Sequence, residues 1–359
     1  MKYNQLGNTG IFVSELCLGT MTFGQMEEGE GASANGKMMG AGLWKAIGQL
    51  GQSDVDRMIG LAVDSGINII DTANVYSRGL SEVATGQALR NLRIARQKVV
   101  LATKVNFPTG ESPNELGLSR SHIMDAVKAS LKRLNTDYID LYQLHSVDHV
   151  TPIEETLRAL DDLVRQGHVR YIGCSNWAAW QIVKALGIAE RLGYMPFASV
   201  QANYSLVGRD LEHEIIPMLE SENLGLLVWS PLAGGFLSGK FSGQEDVKDT
   251  RHAQMPVLPI DEERGAVIVE TLRPIAAAHQ SSVAQVALAW VLHQPRVTSV
   301  IIGARRIEQM EDNLRSVDLQ LGEDELAAID AVAKPPMLYP YWMTIRQKER
   351  RVPAPFKRS

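Results

Sequence analysis

Short apolar runs and amphipathic segments alternate along most of the chain. The runs are rich in Val, Ile and Leu, and most are continuously apolar, which is typical of strands buried on both faces of a parallel sheet. Eight occur, at residues 15–19, 67–71, 99–104, 139–145, 169–174, 199–203, 225–230 and 299–303. Eight strands with helical segments between them, and no linker or change of composition, predict one α/β domain over residues 1–359, a (β/α)₈ TIM barrel.

Some segments depart from this regular pattern. The sequence Gly-Asn-Thr-Gly at residues 7–10 predicts a turn, and hence a β-hairpin before the first barrel strand. Residues 24–51 contain eight glycines among 28 residues and predict a long mobile loop after strand one; a second long loop, residues 232–259, follows strand seven. The tail, about residues 334–359, is aromatic and basic. The pattern leaves open whether its rings line a substrate pocket or pack under the barrel edge.

Composition and charge exclude several classes of function. Apolar residues make up 45% and charged residues 21% of the chain, as is ordinary for a globular protein with a large core. The net charge of −5 gives no reason to expect binding to nucleic acid or to an anionic membrane. The chain has no run of about 20 apolar residues, no signal-peptide pattern and only two cysteines. These features predict a cytoplasmic protein without a disulfide framework.

Polar side chains stand at the ends of three predicted strands, where a barrel core should be apolar. Strand two ends in Asp71, strand three in Lys104 and strand four in His145, and Tyr76 follows Asp71 by five residues. In a closed parallel barrel these ends share one face. A phenol with an ordinary pKa of about 10 is a weak acid at neutral pH, but a lysine ammonium about 4 Å away favours the phenolate by roughly 4 kcal/mol. The four residues together predict a proton-transfer site.

A metal site is a weaker interpretation of the same region. His145 and His149 flank Asp148, but a pair of ligands at i and i+4 needs a helix, and this run continues a strand. No metal is therefore predicted. Cys174 is interpreted as a small buried core residue rather than a reactive thiol.

The segments around these residues resemble the aldo-keto reductase family. GINIIDTA at residues 66–73, continued by NVYSRGLSEVATG, resembles one family signature, and SLKRL at 130–134 with DYIDL at 137–141 resembles a second. The resemblance extends from about residue 6 to residue 321. It implies that Tyr76 is the general acid, that Asp71 and Lys104 tune it, and that His145 orients a carbonyl substrate.

The resemblance also implies a binding site for NADPH or NADP⁺. The nicotinamide carboxamide is expected beside strands five and six, with an aromatic ring of strand seven stacked on the nicotinamide. The pyrophosphate is expected in the loop after strand seven, and the adenosine with its 2′-phosphate after strand eight. The expected contact residues are Gly19, Thr20, Met21, Asp71, Ser175, Asn176, Gln201, Trp229, Ser230, Pro231, Leu232, Gly234, Leu237, Lys240, Arg251, Gly303, Arg305, Gln309, Asp312 and Asn313.

The distribution of cations supports the same site. Loops after strands seven and eight of such barrels often bind phosphate, and here they carry Lys240, Arg251, Arg305 and Arg306. The alternative for Arg306 alone is a solvated surface charge. No G-x-G-x-x-G motif is present, which disfavours a Rossmann domain.

The sequence therefore predicts an NADP-dependent oxidoreductase that reversibly reduces aldehydes or ketones to alcohols, with an aromatic or bulky carbonyl compound as its small-molecule partner. WSPLAGG at residues 229–235 also resembles the β-subunits of potassium channels. The alternative is thus an NADPH-binding, redox-sensing subunit with slow turnover. A metal-dependent hydrolase is disfavoured because few histidines and acids stand at strand ends. The choice between monomer and homo-oligomer stays open.

Overall fold

A computed structural model describes residues 1–25, 47–239, 258–344 and 347 of the chain. Its parallel strands close into an eight-stranded barrel, because the eighth barrel strand pairs with both the first and the seventh barrel strands. The N-terminal hairpin consists of β1 (Tyr3–Gln5) and β2 (Phe12–Ser14). The barrel strands are β3 (Leu16–Gly19), β4 (Ile69–Asp71), β5 (Val100–Val105), β6 (Ile139–Leu144), β7 (Val169–Ser175), β8 (Phe197–Asn203), β9 (Gly225–Trp229) and β10 (Val297–Ile302). The predicted (β/α)₈ TIM barrel is confirmed, and each predicted apolar run overlaps one barrel strand.

Amphipathic helices connect the strands and cover the outside of the barrel. Within the described residues they are α1 (Gln52–Asp64), α2 (Leu80–Asn91), α3 (Arg120–Leu134), α4 (Ile153–Arg165), α5 (Ala179–Leu192), α6 (Ile215–Glu222), α7 (Glu262–Ala278), α8 (Val283–Leu292), α9 (Ile307–Leu314) and α10 (Glu323–Ala333). Helix α3 shows the pattern clearly, since it buries Ile123, Val127 and Leu131 at four-residue spacing. Its first turn is capped by Ser119, whose hydroxyl accepts a hydrogen bond from the His122 backbone N–H at 3.2 Å.

The side chains that point into the barrel change character along the strands. Near the amino ends they form a small apolar cluster that includes Cys17, Ile69, Ala102 and Leu141. Two residues further along the same strands, the inward positions become Asp71, Lys104 and Gln143, because side chains of a strand alternate between its two faces. The inward side chains, at every second residue, thus form an apolar floor at the amino end of the barrel and a polar mouth at its carboxyl end.

The hairpin packs at the amino end of the barrel. Leu6 is fully buried in the apolar floor. Gly7 has a φ of 56°, and a Cβ at this position would lie 2.2 Å from the carbonyl oxygen of Ala198. Glycine is required here because both the backbone conformation and the close approach exclude a larger residue.

The two predicted long loops fall largely outside the described residues, namely at 26–46 and 240–257. The first residues of the C-terminal tail are described, and they contact the loop between β8 and α6. The Tyr341 hydroxyl donates a hydrogen bond to Glu214 Oε1 at 2.6 Å, and its ring lies against His213. Tyr339 and Trp342 are exposed.

Among the helices that the structure describes, none is by itself long and apolar enough to cross a membrane. Helices α7 and α8 meet that test only when taken together, and the chain bends by 97° between them.

Candidate active site

The carboxyl ends of β4, β5 and β6 bring three of the four predicted catalytic side chains together. Asp71 is the last residue of β4, Lys104 is the fifth residue of β5 and His145 directly follows β6. Tyr76 begins a short 3₁₀ turn, Tyr76–Gly79, after β4. Parallel pairing of the strands aligns these ends on one face, so residues distant in sequence become neighbours.

A buried ion pair forms the centre of the site. The Lys104 ammonium pairs with Asp71 Oδ2, and the Lys104 side chain is fully buried. The ammonium also donates to the carbonyl oxygen of Thr72 at 2.8 Å and lies 3.5 Å from the Tyr76 hydroxyl. Burial by itself lowers the pKa of Lys104, but the Asp71 carboxylate and then Tyr76 outweigh it, so the pKa is raised overall. Lys104 is therefore a permanent cation next to the phenol.

Two amides hold the other oxygen of the Asp71 carboxylate. Gln143 and Gln201 each donate an Nε2–H to Asp71 Oδ1 at 2.9 Å, and Gln201 also donates to Gln143 Oε1 at 3.2 Å. Both amides are buried, and together they orient a carboxylate that would otherwise be poorly solvated. The sequence prediction did not include Gln143. Its signal was a polar residue in an otherwise apolar run, two positions before His145 and hence on the same inward face.

His145 lies between two aromatic rings at the mouth of the barrel. Its ring centroid is 5.8 Å from that of Tyr76 and 4.7 Å from that of Phe107, both in edge-on geometry. Burial, with the Lys104 cation as a second cause, holds the pKa of His145 well below its ordinary value of 6.5. The imidazole is therefore neutral at physiological pH and can donate one hydrogen bond while accepting another. Within the described part of the chain, its buried Nδ1 has no hydrogen-bond partner.

This neutral state predicts a dependence of stability on pH. Because the folded-state pKa of His145 lies below the unfolded value, His145 destabilises the fold as pH falls below about 6.5, where only the unfolded chain takes up the proton. Between pH 6.5 and 5.5 the free energy of unfolding of the wild type should fall by about 1 kcal/mol more than that of His145→Asn. Urea unfolding of both proteins at the two pH values measures the difference. Equal falls would mean that His145 is protonated in the folded state.

A chain of hydrogen bonds links His145 to the predicted cofactor residues of β7 and β9. Asn176 Nδ2 donates to the His145 carbonyl oxygen at 3.0 Å, and the Trp229 indole N–H donates to Asn176 Oδ1 at 3.1 Å. The Ser175 hydroxyl is buried and has no hydrogen-bond partner among the residues that the structure describes. A buried orphan hydroxyl beside the catalytic groups fits a site for a polar ligand group such as a carboxamide.

The loop after β9 is built from unusual backbone conformations. Positive φ values occur at Ser230 (54°), Ala233 (50°), Gly234 (67°) and Gly235 (95°). The Ala233 and Gly235 N–H groups donate within the loop, to the carbonyl oxygens of Ser230 and Leu232, each at 2.9 Å. These hydrogen bonds fold the loop tightly at the carboxyl end of β9.

The remaining predicted cofactor residues occupy varied environments. Thr20 is buried and donates to the Asp71 carbonyl oxygen at 3.2 Å, whereas Leu237 is fully buried in the core. Asp312 accepts hydrogen bonds from Ser282 and Gln285 of α8. Gly19 ends β3, Met21 follows it, and Pro231 and Leu232 follow β9. Gly303 and Arg305 follow β10, and Gln309 and Asn313 lie in α9. Lys240 and Arg251 lie outside the described residues.

Asp148, which lies between His145 and His149, has a structural role. Both carboxylate oxygens of Asp148 accept hydrogen bonds, Oδ1 from the Val150 and Thr151 backbone and Oδ2 from the Leu118 N–H and the Thr151 hydroxyl. Within residues 1–25, 47–239 and 258–344, no three His, Cys, Asp or Glu side chains gather in a way that could hold a metal ion.

Comparison with known proteins identifies the family of this chain. The model of the aldo/keto reductase family matches residues 15–334. The chain therefore belongs to the aldo-keto reductase family, whose members are oxidoreductases that use nicotinamide cofactors.

Similar proteins share most of their length with this chain. The uncharacterized oxidoreductase YrpG of Bacillus subtilis is 38% identical over 340 residues, which cover 92% of this chain and 96% of that protein. The versiconal hemiacetal acetate reductase of Aspergillus parasiticus is 33% identical, with 95% and 99% covered. A probable voltage-gated potassium channel subunit beta of Arabidopsis thaliana is 36% identical, with 89% and 92% covered. The family therefore contains both a named reductase and a named channel subunit.

Proposed function

We propose that this protein reduces aldehydes or ketones to alcohols with NADPH. The observation that carries the proposal is the phenol of Tyr76 lying 3.5 Å from the buried Lys104 ammonium, which pairs with Asp71 at the barrel mouth. A carbonyl reduction needs a proton donor beside the carbonyl oxygen, because negative charge develops on that oxygen. A phenol next to a fixed cation meets this need.

The roles of the four catalytic residues follow from their contacts. Tyr76 would donate its proton to the substrate oxygen, and Lys104 would stabilise the phenolate that remains. Asp71 would keep Lys104 charged despite its burial. His145, neutral at working pH, would donate a hydrogen bond to the same substrate oxygen and so orient the carbonyl.

The cofactor residues fit a nicotinamide dinucleotide. Ser175, Asn176 and Gln201 would hold the carboxamide, with Trp229 against the ring, and the loop after β9 would hold the pyrophosphate. When bound, the nicotinamide would supply the hydride to the carbonyl carbon. Phe107 beside His145, together with Trp229, favours aromatic or bulky apolar carbonyl compounds as substrates.

A panel of aromatic aldehydes, aliphatic aldehydes, ketones and sugars, each with NADPH, tests this function. We expect steady-state turnover with at least one aromatic aldehyde and a smaller kcat/KM for sugars. A protein that binds NADPH tightly but consumes none with any carbonyl compound would contradict the proposal.

The 2′-phosphate of NADPH should be recognised by Arg305, which follows β10. One charge-assisted hydrogen bond is worth about 1.5–3 kcal/mol, so kcat/KM with NADPH should exceed that with NADH by about 10-fold to 100-fold. Arg305→Met should remove most of this preference by weakening NADPH binding alone. Arg296→Met is the matched control, because Arg296 is exposed just before the amino end of β10. Equal use of NADH by the wild type would refute this assignment.

A regulatory subunit is the second candidate, because one of the similar proteins is named as a potassium channel subunit beta. Such a protein would retain its cofactor and complete little more than one turnover. Comparing the first turnover with the steady state in stopped-flow absorbance separates the two functions. A fast first turnover followed by negligible steady-state rate would favour the regulatory role.

A further inference from the structure

The turn that carries Tyr76 has a strained backbone. Ser77 and Arg78 have φ values of 47° and 54°, and Gly79 follows at 92°. Left-handed conformations at residues other than glycine cost on the order of 1–3 kcal/mol each and persist only where the surroundings enforce them. Contacts from other elements must therefore hold this turn in place.

Two contacts hold the turn from outside. The Ser77 hydroxyl is buried and donates to the Phe23 carbonyl oxygen at 2.9 Å. On the other side, the Arg133 side chain of α3 lies directly on Gly79, since a Cβ at Gly79 would be 2.7 Å from Arg133 Cδ and 2.8 Å from Nε. The position of the turn therefore depends on where Arg133 is held.

A second buried carboxylate, which has no part in the proton transfer described above, determines where Arg133 lies. The Glu82 side chain is fully buried, and its Oε2 accepts from Arg133 Nε at 2.6 Å. Its Oε1 accepts from the Thr103 hydroxyl, also at 2.6 Å. Thr103 is buried and directly precedes Lys104 in β5. One carboxylate thus connects the strand that carries Lys104 with the turn that carries Tyr76.

We propose that Glu82 is a positioning residue that sets the separation between the Tyr76 hydroxyl and the Lys104 ammonium. It acts through Thr103 on one side and through Arg133 and Gly79 on the other. The inference rests on the proposed reductase function, because its consequence is the rate of proton donation by Tyr76. Loss of either contact lets the strained turn relax and carries the phenol away from the cation.

The first test replaces Glu82 with glutamine. Glutamine keeps the shape of the side chain, but its amide N–H faces either Arg133 or Thr103, both of which donate hydrogen bonds to Glu82 in the wild type. We expect kcat for an aromatic aldehyde to fall by about 10-fold to 100-fold, because a displacement of about 1 Å can cost about 100-fold. KM and the NADPH Kd, measured by fluorescence titration, should stay within about twofold. The solvent deuterium isotope effect on kcat should rise, because proton donation becomes slower relative to the other steps.

Asp140→Asn is the matched control. Asp140 lies in β6 toward the amino end of the barrel, away from the site, and its carboxylate pairs with Arg96 and accepts from the Leu101 backbone N–H. This variant also breaks a buried arginine–carboxylate pair by an acid-to-amide change. It should lose stability while keeping the kcat and isotope effect of the folded wild type.

A second pair of variants keeps the test decisive if Glu82→Gln does not fold. Thr103→Val removes only the hydroxyl that binds Glu82, and Thr103→Ser restores it while leaving out a methyl group. The valine variant should show the lowered kcat and raised isotope effect, and the serine variant should recover wild-type values although it is the less well packed. The isotope effect is a property of the folded protein, so a role in stability alone would leave it unchanged in both variants, whatever their free energies of unfolding.

The outcomes distinguish failure of the proposed reductase function from failure of the proposed role of Glu82. No turnover by the wild type with any carbonyl compound overturns the proposed function and this inference with it. Wild-type turnover together with a Glu82→Gln variant that loses no more kcat than Asp140→Asn overturns the inference alone. Unchanged kcat and isotope effect in Thr103→Val do the same.

Discussion

Tyr76→Phe is expected to abolish nearly all carbonyl reduction while leaving the fold and NADPH binding intact. The phenol is the only acid that we assign to the substrate oxygen, and general acid catalysis by a positioned side chain is worth about 10²-fold to 10⁴-fold. The kcat should fall by about that factor. The NADPH Kd, measured by fluorescence titration, should stay within about twofold, because the removed hydroxyl contacts Lys104 and is not among the cofactor residues.

Tyr142→Phe is the control for this substitution. Tyr142 is a fully buried tyrosine of β6 whose hydroxyl has no hydrogen-bond partner in the described structure. Removing that hydroxyl should leave both kcat and stability close to wild type. A Tyr76→Phe variant that turns over as fast as Tyr142→Phe would remove Tyr76 from the mechanism.

The second large effect concerns the buried ion pair. Lys104→Met should lower the free energy of unfolding by about 3–5 kcal/mol, because it leaves the Asp71 carboxylate buried without its counter-charge. The double variant Asp71→Asn, Lys104→Met should regain much of this loss, since the asparagine oxygen can still accept from Gln143 and Gln201. Urea unfolding at pH 7 of the two single variants, the double variant and the wild type yields the coupling energy of the pair.

The ion pair should also contribute to the free energy of unfolding across the whole neutral pH range. The folded-state pKa of Lys104 is raised above its ordinary value of 10.5, so its contribution is complete below that pH and is lost only as pH rises through the folded value. A single Lys104→Met variant as stable as the double variant would show that the Asp71 carboxylate takes up a proton when its partner is removed.

Much of the fold could be predicted from the sequence because its strands are buried on both faces. Continuous apolar runs such as residues 225–229 stand out from the amphipathic helices. Eight strand-like runs leave few architectures other than a closed barrel. The helix starts were less predictable. Helix α1, for example, begins at Gln52 after Gly51, and no side chain caps it.

From the residue pattern alone, the candidate site could be predicted best where chemistry coincided with a strand end. Asp71, Lys104 and His145 stand out because an ionisable residue directly follows an apolar run. Gln143 does not, since it lies within such a run, and its partner Gln201 is distant in sequence. The left-handed conformation of Ser77 is equally hidden, because serine has no preference for it and the contacts that enforce it come from other elements.

Pairing between β3 and β10 has a consequence for biosynthesis. β1 pairs with β2 and β3 pairs with β4 early in the chain, but the other edge of β3 meets its partner β10 only near residue 300. The Ser299 hydroxyl also donates to the Ser14 carbonyl oxygen, and Asn4 donates to the carbonyl oxygen of Thr298. During translation one edge of β3 therefore stays unpaired until β10 has emerged from the ribosome. Nascent chains that stop before β10 should therefore depend on chaperones, because open edges invite pairing with other molecules.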